Sequence, residues 1–223
     1  EATALALNSR EQLFLAFSLF PGDKAYLHNF ISLLPKELKD NERFFICAGG
    51  YLPSISKVDF LKEFPGVDFI VAGEGDFALA EAVGRLSEGR SLEGVENIIY
   101  RSKGGEITAN PPRVLTTREL DNLPFPDWSM LEDKEDRFNK KALLDTSRGC
   151  PGHCAFCGIH KFFDEIHSVN RDSCSLKELW WRPRSAAKVV DEIEYLYREF
   201  GIRGFDFVDD DFIGTDPGRA GEI

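Results

Sequence analysis

Three of the five cysteines in this chain lie within the eight-residue segment CPGHCAFC. They are Cys150, Cys154 and Cys157, so three thiols share one loop at spacings of four and three residues. A structural zinc site usually takes four thiol or imidazole ligands, often as two closely spaced pairs. A two-cysteine redox motif would use Cys154 and Cys157 and would leave Cys150 without a role. Three thiolates suit a cubane iron–sulfur cluster in which one iron has no protein ligand and is open to another molecule.

Two histidines near this loop leave a second interpretation open. Either His153 or His160 could complete a tetrahedral zinc site with the three thiolates, which would make this a non-catalytic metal module. The odd number and uneven placement of the cysteines argue against a disulfide framework, so we expect a reducing, cytoplasmic compartment. Cys47, in an apolar run, is predicted to be a buried core thiol, and Cys174, in a polar stretch, an incidental loop cysteine.

The composition is that of an ordinary globular protein of one or two domains. Of the 223 residues, 43% are hydrophobic and 29% charged. No apolar run approaches the roughly 18 residues of a membrane helix, and the opening segment lacks the features of a signal peptide. The net charge of −11 disfavours broad binding to a nucleic-acid backbone. A local basic patch of Arg182, Arg184 and Lys188 stays open, with a solvated loop and helix start as the simpler interpretation.

The first ninety residues alternate between apolar runs and amphipathic patterns. Strands are predicted over residues 12–20, 43–50 and 67–75, and helices over residues 24–38, 56–66 and 77–89. Ser56 is expected to cap the second helix at its start, and Gly89 to end the third. This alternation predicts a doubly wound parallel sheet of the flavodoxin or Rossmann type.

The pattern changes after residue 90. A hairpin is predicted near residues 96–109, around Lys103–Gly105. Residues 115–140 are expected to form a linker that packs through Phe125, Trp128 and Met130. A strand over 141–149 then leads into the cysteines, followed by an amphipathic helix over 185–201 and a strand over 204–212. The predicted domains are therefore residues 1–114 and 141–223.

The segment SRGCPGHCAFC resembles the cluster loop of the radical S-adenosylmethionine (SAM) superfamily. The family signature, CxxxCxΦC, places an aromatic residue before the last cysteine, and this residue is Phe156 here. The surrounding strands and helix resemble the start of that family's partial β/α barrel. The resemblance implies that the three cysteines ligate a 4Fe–4S cluster whose open iron chelates SAM, with Phe156 beside the adenine. It also implies reductive cleavage of SAM to a 5′-deoxyadenosyl radical, with electrons from a reductant such as flavodoxin or ferredoxin.

Three aspartates stand at the C-terminal end of the last predicted strand, where the chemistry of β/α barrels is found. In related enzymes this strand end helps to hold the amino group of SAM. The resemblance therefore implies that Asp209 or Asp210 accepts a charge-assisted hydrogen bond from SAM. The alternative is that one or more of the three acids only caps the turn before Gly214.

The first half resembles the cobalamin-binding domain that precedes many radical SAM barrels. That domain has a Ser-x-Leu element followed by two glycines, and here Ser18-Leu19-Phe20 is followed after 28 residues by a glycine pair. Such glycines would let the corrin and its nucleotide tail approach the backbone, although they also form tight turns in any flavodoxin-like sheet. The implied cofactor-binding positions are Ser18, Gly49, Gly50, Gly73, Glu74 and Gly75.

One element of the cobalamin domain is missing from the sequence. The lower-ligand motif Asp-x-His-x-x-Gly, expected roughly 40 residues before Ser18, does not occur. Only 66 residues follow Cys157, fewer than a family-like barrel needs. We therefore expect both domains to be truncated in this chain and leave cobalamin as an open cofactor. The predicted function is radical SAM catalysis, with methyl transfer, cyclisation or rearrangement of an unknown substrate.

Overall fold

The computed structural model describes residues 12–129, 141–152, 154–163 and 180–223. The chain divides into two compact units, one of Glu1–Val114 with Lys161–Ile166 and one of Leu115–His160 with His167–Ile223. The predictions for Met130, His153 and Cys174, and for residues 130–140 of the expected linker, lie outside the described residues.

A five-stranded mixed sheet forms the core of the first unit. Its strands are β1 (Leu13–Ser18), β2 (Phe44–Gly49), β3 (Phe69–Val71), β4 (Ile98–Arg101) and β5 (Ile107–Ala109). They lie side by side in chain order, parallel from β1 to β3 and antiparallel from β3 to β5. This α/β sheet confirms the predicted fold class. Because β1, β2 and β3 follow one another across the sheet, the winding does not reverse among the described strands, and a doubly wound domain stays a prediction.

Helices cover both faces of this sheet, which explains why its central strands are apolar on both sides. They are α1 (Lys24–Leu33), α2 (Lys36–Lys39), α3 (Tyr51–Ser56), α4 (Val58–Glu63) and α5 (Ala78–Ser87). Side chains alternate along a strand, so Ile46 packs towards α1, α3 and α4, whereas Cys47 packs towards α5. The prediction that Cys47 is a buried core thiol is confirmed, since its exposed fraction is 2%.

The helix boundaries around Ser56 differ from the prediction. Ser56 is the last residue of α3 and does not cap α4, because the chain turns at Gly50 (φ +84°) and a helix begins directly after it. Lys57, with φ +49°, separates the two helices. Gly89 has φ +70° just after α5 and so has the left-handed conformation expected at a helix end.

The second unit pairs its strands in two small sheets. Its elements are α6 (Thr117–Asn122), β6 (Lys141–Leu144), β7 (Ser147–Gly149), β8 (Trp181–Pro183), α8 (Ala186–Phe200), β9 (Gly204–Phe207) and α9 (Pro217–Glu222). The short helix α7 (Ile159–Phe163) belongs to the second unit up to His160 and to the first unit from Lys161. β6 and β9 are parallel neighbours, and β7 pairs antiparallel with β8. The strand predicted over 141–149 is therefore two strands, which separate at residues 145–146.

The long helix α8 packs on β6 and β9. Ser185 accepts the Lys188 N–H at its start, and Gly201 ends it with φ +65°. Its Leu196 side chain is fully buried against Ala142 and Leu144. Each Å² of apolar surface that this interface removes from water stabilises the fold by roughly 25 cal/mol. The packing of α8 therefore holds both strands in place.

The expected linker contains an ordered helix that the sequence analysis missed. Thr116 and Glu119 form a reciprocal capping box at the start of α6. Phe125 stacks on Tyr195 of α8 with ring centroids 5.5 Å apart, and Trp128 packs on the same cluster. Residues 115–129 thus pack within the second unit. None of the described helices is both long and apolar enough to cross a membrane.

Candidate functional site

The cysteine loop begins where β7 ends. Gly149 has φ +83° and turns the chain out of the strand. Cys150 is half-buried, whereas Cys154 and Cys157 are exposed, and all three carry free thiols. The Cys157 N–H donates to the Cys154 carbonyl over 3.0 Å, which forms a turn between the last two cysteines.

Two of the three sulfur atoms lie on the same side of Gly152. A Cβ atom on Gly152 would be 3.4 Å from the Cys150 Sγ and 3.9 Å from the Cys154 Sγ. Within the described ranges, no group of three or more histidine, cysteine or acidic side chains is close enough to hold a metal ion. Free, accessible thiols on one loop fit the donor chemistry of an iron–sulfur cluster. Ligation by all three cysteines stays a prediction, as does the placement of Phe156, which is 93% exposed.

Asp209 is held inside the second unit. Its Oδ1 accepts hydrogen bonds from the Thr146 N–H at 3.0 Å, the Thr146 hydroxyl at 2.9 Å and the Ser147 hydroxyl at 2.6 Å. Both donor residues are buried; Thr146 directly precedes β7, and Ser147 is its first residue. The other oxygen, Oδ2, is buried without a hydrogen-bond partner among the described residues. Asp209 therefore links the end of β9 to the start of β7.

Asp211 caps a turn, as in the alternative considered for this acidic segment. Its Oδ1 accepts the N–H groups of Ile213 at 3.2 Å and Gly214 at 2.9 Å. Its carbonyl accepts the Trp181 indole N–H at 2.7 Å. Gly214 has φ +54°, and a Cβ atom there would lie 2.0 Å from the Trp181 ring, so only glycine fits against this indole.

Asp210 is the exposed member of the three acids. Loss of solvation raises the pKa of its carboxyl, the Gly149 N–H that it accepts lowers it, and the Asp209 charge raises it again. The pKa of the Asp210 carboxyl is therefore raised overall, and the carboxylate lies near the N–H of the residue directly before Cys150. Of the two acids predicted to hold the SAM amino group, Asp210 is the one whose side chain reaches solvent beside the cysteine loop.

The three residues of the predicted basic patch are engaged within the second unit. Arg182 is 2% exposed and donates to the Leu115 carbonyl at 2.7 Å. Arg184 forms an ion pair with the buried Glu192 at 2.6 Å. The Lys188 ammonium lies 4.3 Å from the centroid of the Phe125 ring. The prediction of a solvated loop is therefore wrong for Arg182, which is buried in β8, and the contacts give all three residues a structural role.

The strand ends of the first unit bring Ser18 and the glycine pair together. The Leu19 N–H donates to the Gly49 carbonyl, and the Leu52 N–H donates to the Leu19 carbonyl, each at 2.9 Å. A Cβ atom on Gly50 would lie 2.9 Å from both the Leu19 nitrogen and the Ser18 Oγ. Gly50 is therefore required by the fold itself, whereas a Cβ atom on Gly49 would meet Val71 only at an ordinary 3.7 Å.

A buried serine joins the two glycine turns, and the sequence analysis missed it. The Ser54 hydroxyl donates to the Gly50 carbonyl at 2.6 Å and accepts the Gly73 N–H at 2.9 Å. Asn97 supports the second turn by donating to the Glu74 carbonyl at 3.0 Å. A serine four residues after a glycine at a helix start is the only signal that pointed to this bridge.

Curated relatives match most of the chain, although no family profile matches it. It is 31% identical over 176 residues to an uncharacterized methyltransferase of Pyrococcus horikoshii, a match that covers 77% of this chain and 34% of the relative. It is 32% identical over 170 residues to an anaerobic magnesium-protoporphyrin IX monomethyl ester cyclase of Rubrivivax gelatinosus, covering 73% and 28%. A cobalamin-dependent radical SAM methyltransferase, TokK of Streptomyces tokunonensis, is 30% identical over 159 residues, covering 63% and 23%.

The chain is homologous to cobalamin-dependent radical SAM enzymes. The resemblance seen in the sequence is thereby confirmed. The chain spans about a third of the length of the first of these relatives and less of the others.

Solved structures of this group share the fold. The cobalamin-dependent SAM radical enzyme OxsB, with aqua-cobalamin and SAM bound, aligns with a TM-score of 0.70 at 23% identity, covering 100% of this chain and 29% of OxsB. The radical SAM methyltransferase TsrM of Kitasatospora setae aligns with a TM-score of 0.66 at 18% identity, covering 99% and 41%. Both units of this chain thus have the fold of the matching part of those enzymes.

The exposure of the thiols predicts their reactivity. Burial, and secondarily the Asp68 charge, raises the pKa of the Cys47 thiol to about 11. At pH 8 we expect iodoacetamide to label Cys154 and Cys157 rapidly in the metal-free, reduced protein and to leave Cys47 unlabelled, because the thiolate is the nucleophile. Mass spectrometry of the labelled peptides gives the rates, and unfolding in urea provides the control in which Cys47 reacts. Equal rates in the folded protein would contradict the burial of Cys47.

Proposed function

We propose that this chain forms part of a radical SAM enzyme in which Cys150, Cys154 and Cys157 hold a 4Fe–4S cluster. The observation that carries the proposal is the loop of three free thiols that begins directly after β7, the strand whose first residue, Ser147, donates to Asp209 at 2.6 Å next to the exposed Asp210. Similarity to the radical SAM methyltransferase TokK supports the same assignment and does not favour a structural zinc site.

Each group has a distinct task in this proposal. The bound cluster would supply the electron that cleaves SAM reductively. The three thiolates would ligate three irons, and the Asp210 carboxylate would accept a charge-assisted hydrogen bond from the amino group of SAM. Asp209 would hold the strand that leads into the loop, because its Oδ1 is already occupied by Thr146 and Ser147.

We propose further that the first unit binds cobalamin at the ends of β1 and β2. The relatives named as cobalamin-dependent support this, and so does the exposed Ser18 beside the Gly49-Gly50 turn. The proposed domains are residues 1–114 and 141–223, and the division of the chain after Val114 supports the first boundary. The proposed reaction is methyl transfer, cyclisation or rearrangement, in the cytoplasm, with electrons from a flavodoxin or ferredoxin.

The cluster assignment predicts which cysteines are required for iron binding. After anaerobic reconstitution with iron and sulfide, alanine in place of Cys150, Cys154 or Cys157 should abolish the broad visible absorption of the cluster, since each thiolate is one of only three ligands. Cys47→Ala is the matched control and should keep its iron, because this thiol lies in the core of the other unit. A colourless unaltered protein that retains zinc would contradict the assignment.

The role of Asp210 predicts a loss of SAM affinity without a loss of iron. Asp210→Asn in the full-length protein should weaken SAM binding about ten- to hundredfold, since a charged hydrogen bond contributes about 1.5–3 kcal/mol. The titration is followed by the electron paramagnetic resonance spectrum of the reduced cluster. Asp206→Asn is the control on the preceding strand β9, because Asp206 is exposed and pairs with Lys141. Equal affinities in the two variants would remove Asp210 from the site.

The proposed cobalamin edge is best tested at Ser18. Ser18 is exposed, so Ser18→Phe should leave the fold intact while its ring occupies the space in front of the glycine turn. We expect the full-length protein to take up cobalamin anaerobically and this variant to take up at least tenfold less, as measured by absorbance after gel filtration. Ser32→Phe, at an exposed position near the end of α1, is the control. Full uptake by Ser18→Phe would place the cofactor elsewhere.

A further inference from the structure

Arg219 of α9 is a buried arginine next to the strands that lead to the cysteine loop. Its exposed fraction is 6%, and its guanidinium lies 5.7 Å from the centroid of the Trp181 ring. Its Nε donates to the Arg184 carbonyl at 2.7 Å, and its Nη2 donates to the Thr146 carbonyl at 2.6 Å. Thr146 precedes β7 and Arg184 follows β8. Arg219 therefore joins the two chain segments that flank the β7–β8 pair at the end opposite Cys150.

Every polar group of Thr146 forms a hydrogen bond. Its N–H and hydroxyl donate to Asp209 Oδ1, and its carbonyl accepts from the Arg184 N–H at 2.9 Å as well as from Arg219. Only three residues separate Thr146 from Cys150, and its hydrogen-bond partner Asp209 directly precedes Asp210 in the chain. The position of Thr146 therefore sets the position of both the first cysteine and the exposed carboxylate.

The charge of Arg219 is costly at this position. Burial lowers its pKa, and the Asp209 and Asp216 carboxylates oppose this effect. Among the described residues, its Nη1 has no hydrogen-bond partner, and neither does Oδ2 of Asp209. An apolar side chain of the same size would fill the space without this cost, as replacement of buried ion pairs in other proteins shows. What an apolar side chain could not do is bind two backbone carbonyls at once.

We propose that Arg219 is a positioning residue: it fixes the start of β7 so that Cys150 and the Asp210 carboxylate keep a constant separation. The reason why this separation must stay constant, binding of SAM beside the cluster, rests on the proposed function. The mechanical part of the inference, restraint of residues 146–149 by Arg219, does not depend on the cluster.

The experiment compares the full-length protein with its Arg219→Ala and Arg219→Lys variants. Arg203→Ala is the matched control, because Arg203 is an exposed arginine of the same unit. The first measurement is amide hydrogen exchange before iron is added, with residues 146–149 compared with α8. The second is the SAM concentration that half-saturates the change in the reduced cluster's paramagnetic resonance spectrum after reconstitution.

We expect Arg219→Ala to accelerate exchange in residues 146–149 about ten- to hundredfold, the factor for one lost charge-assisted hydrogen bond, and to leave α8 unchanged. Arg219→Lys should accelerate it less, since an ammonium can still donate to a carbonyl. The SAM concentration needed for half-saturation should rise about tenfold in Arg219→Ala, with iron content unchanged. Arg203→Ala should match the unaltered protein in both measurements.

Two results would overturn the proposal. One is unchanged exchange in residues 146–149, and the other is equal acceleration in α8, which would make Arg219 a general stabilising residue. If Arg219→Ala fails to fold, the same two criteria apply to Arg219→Lys. If the unaltered protein binds neither cluster nor SAM, the proposed function fails, and the exchange measurement still decides whether Arg219 restrains β7.

Discussion

The second unit depends on one carboxylate oxygen. Oδ1 of Asp209 accepts from two hydroxyls and one backbone N–H, all within 3.0 Å, at a place from which water is largely excluded. A charge buried without such donors would cost several kcal/mol, so the three donors make this position tolerable for an acid. Because the donors lie at the start of β7 and the acceptor follows β9, the interaction sets where the cysteine loop begins.

Three consecutive aspartates have three different surroundings because the chain leaves the strand after Phe207 and bends at Asp210. Asp209 turns inwards to Thr146 and Ser147, Asp211 turns back to cap its own turn, and Asp210 between them faces solvent. The sequence predicted acids at a strand end, and it left the choice between Asp209 and Asp210 open. The different surroundings of the two acids depend on donors more than 60 positions away, which no local pattern contains. Which of the two holds SAM stays a prediction.

Apolar periodicity predicted most strands and long helices, because the buried faces of these elements carry apolar residues at regular spacing. The elements that it missed are short. β8 has three residues and includes Arg182 and Pro183, so its composition looks like a loop. α6 lies in a stretch rich in charged residues and proline, which argued against a helix, although the capping box at its start is present in the sequence. The Ser54 bridge depends on two turns meeting in space, and a single buried hydroxyl leaves no periodic trace.

The contact between Gly214 and Trp181 restricts how this unit can evolve. The indole fills the space of a missing Cβ atom at position 214, donates to the Asp211 carbonyl and lies beside Arg219. A larger residue at 214 would require a smaller one at 181, yet a smaller residue there would remove the indole donor and uncover the guanidinium. Each single change therefore loses a contact that the other position does not replace, so the two positions are coupled and lineages that retain this strand end should retain both residues.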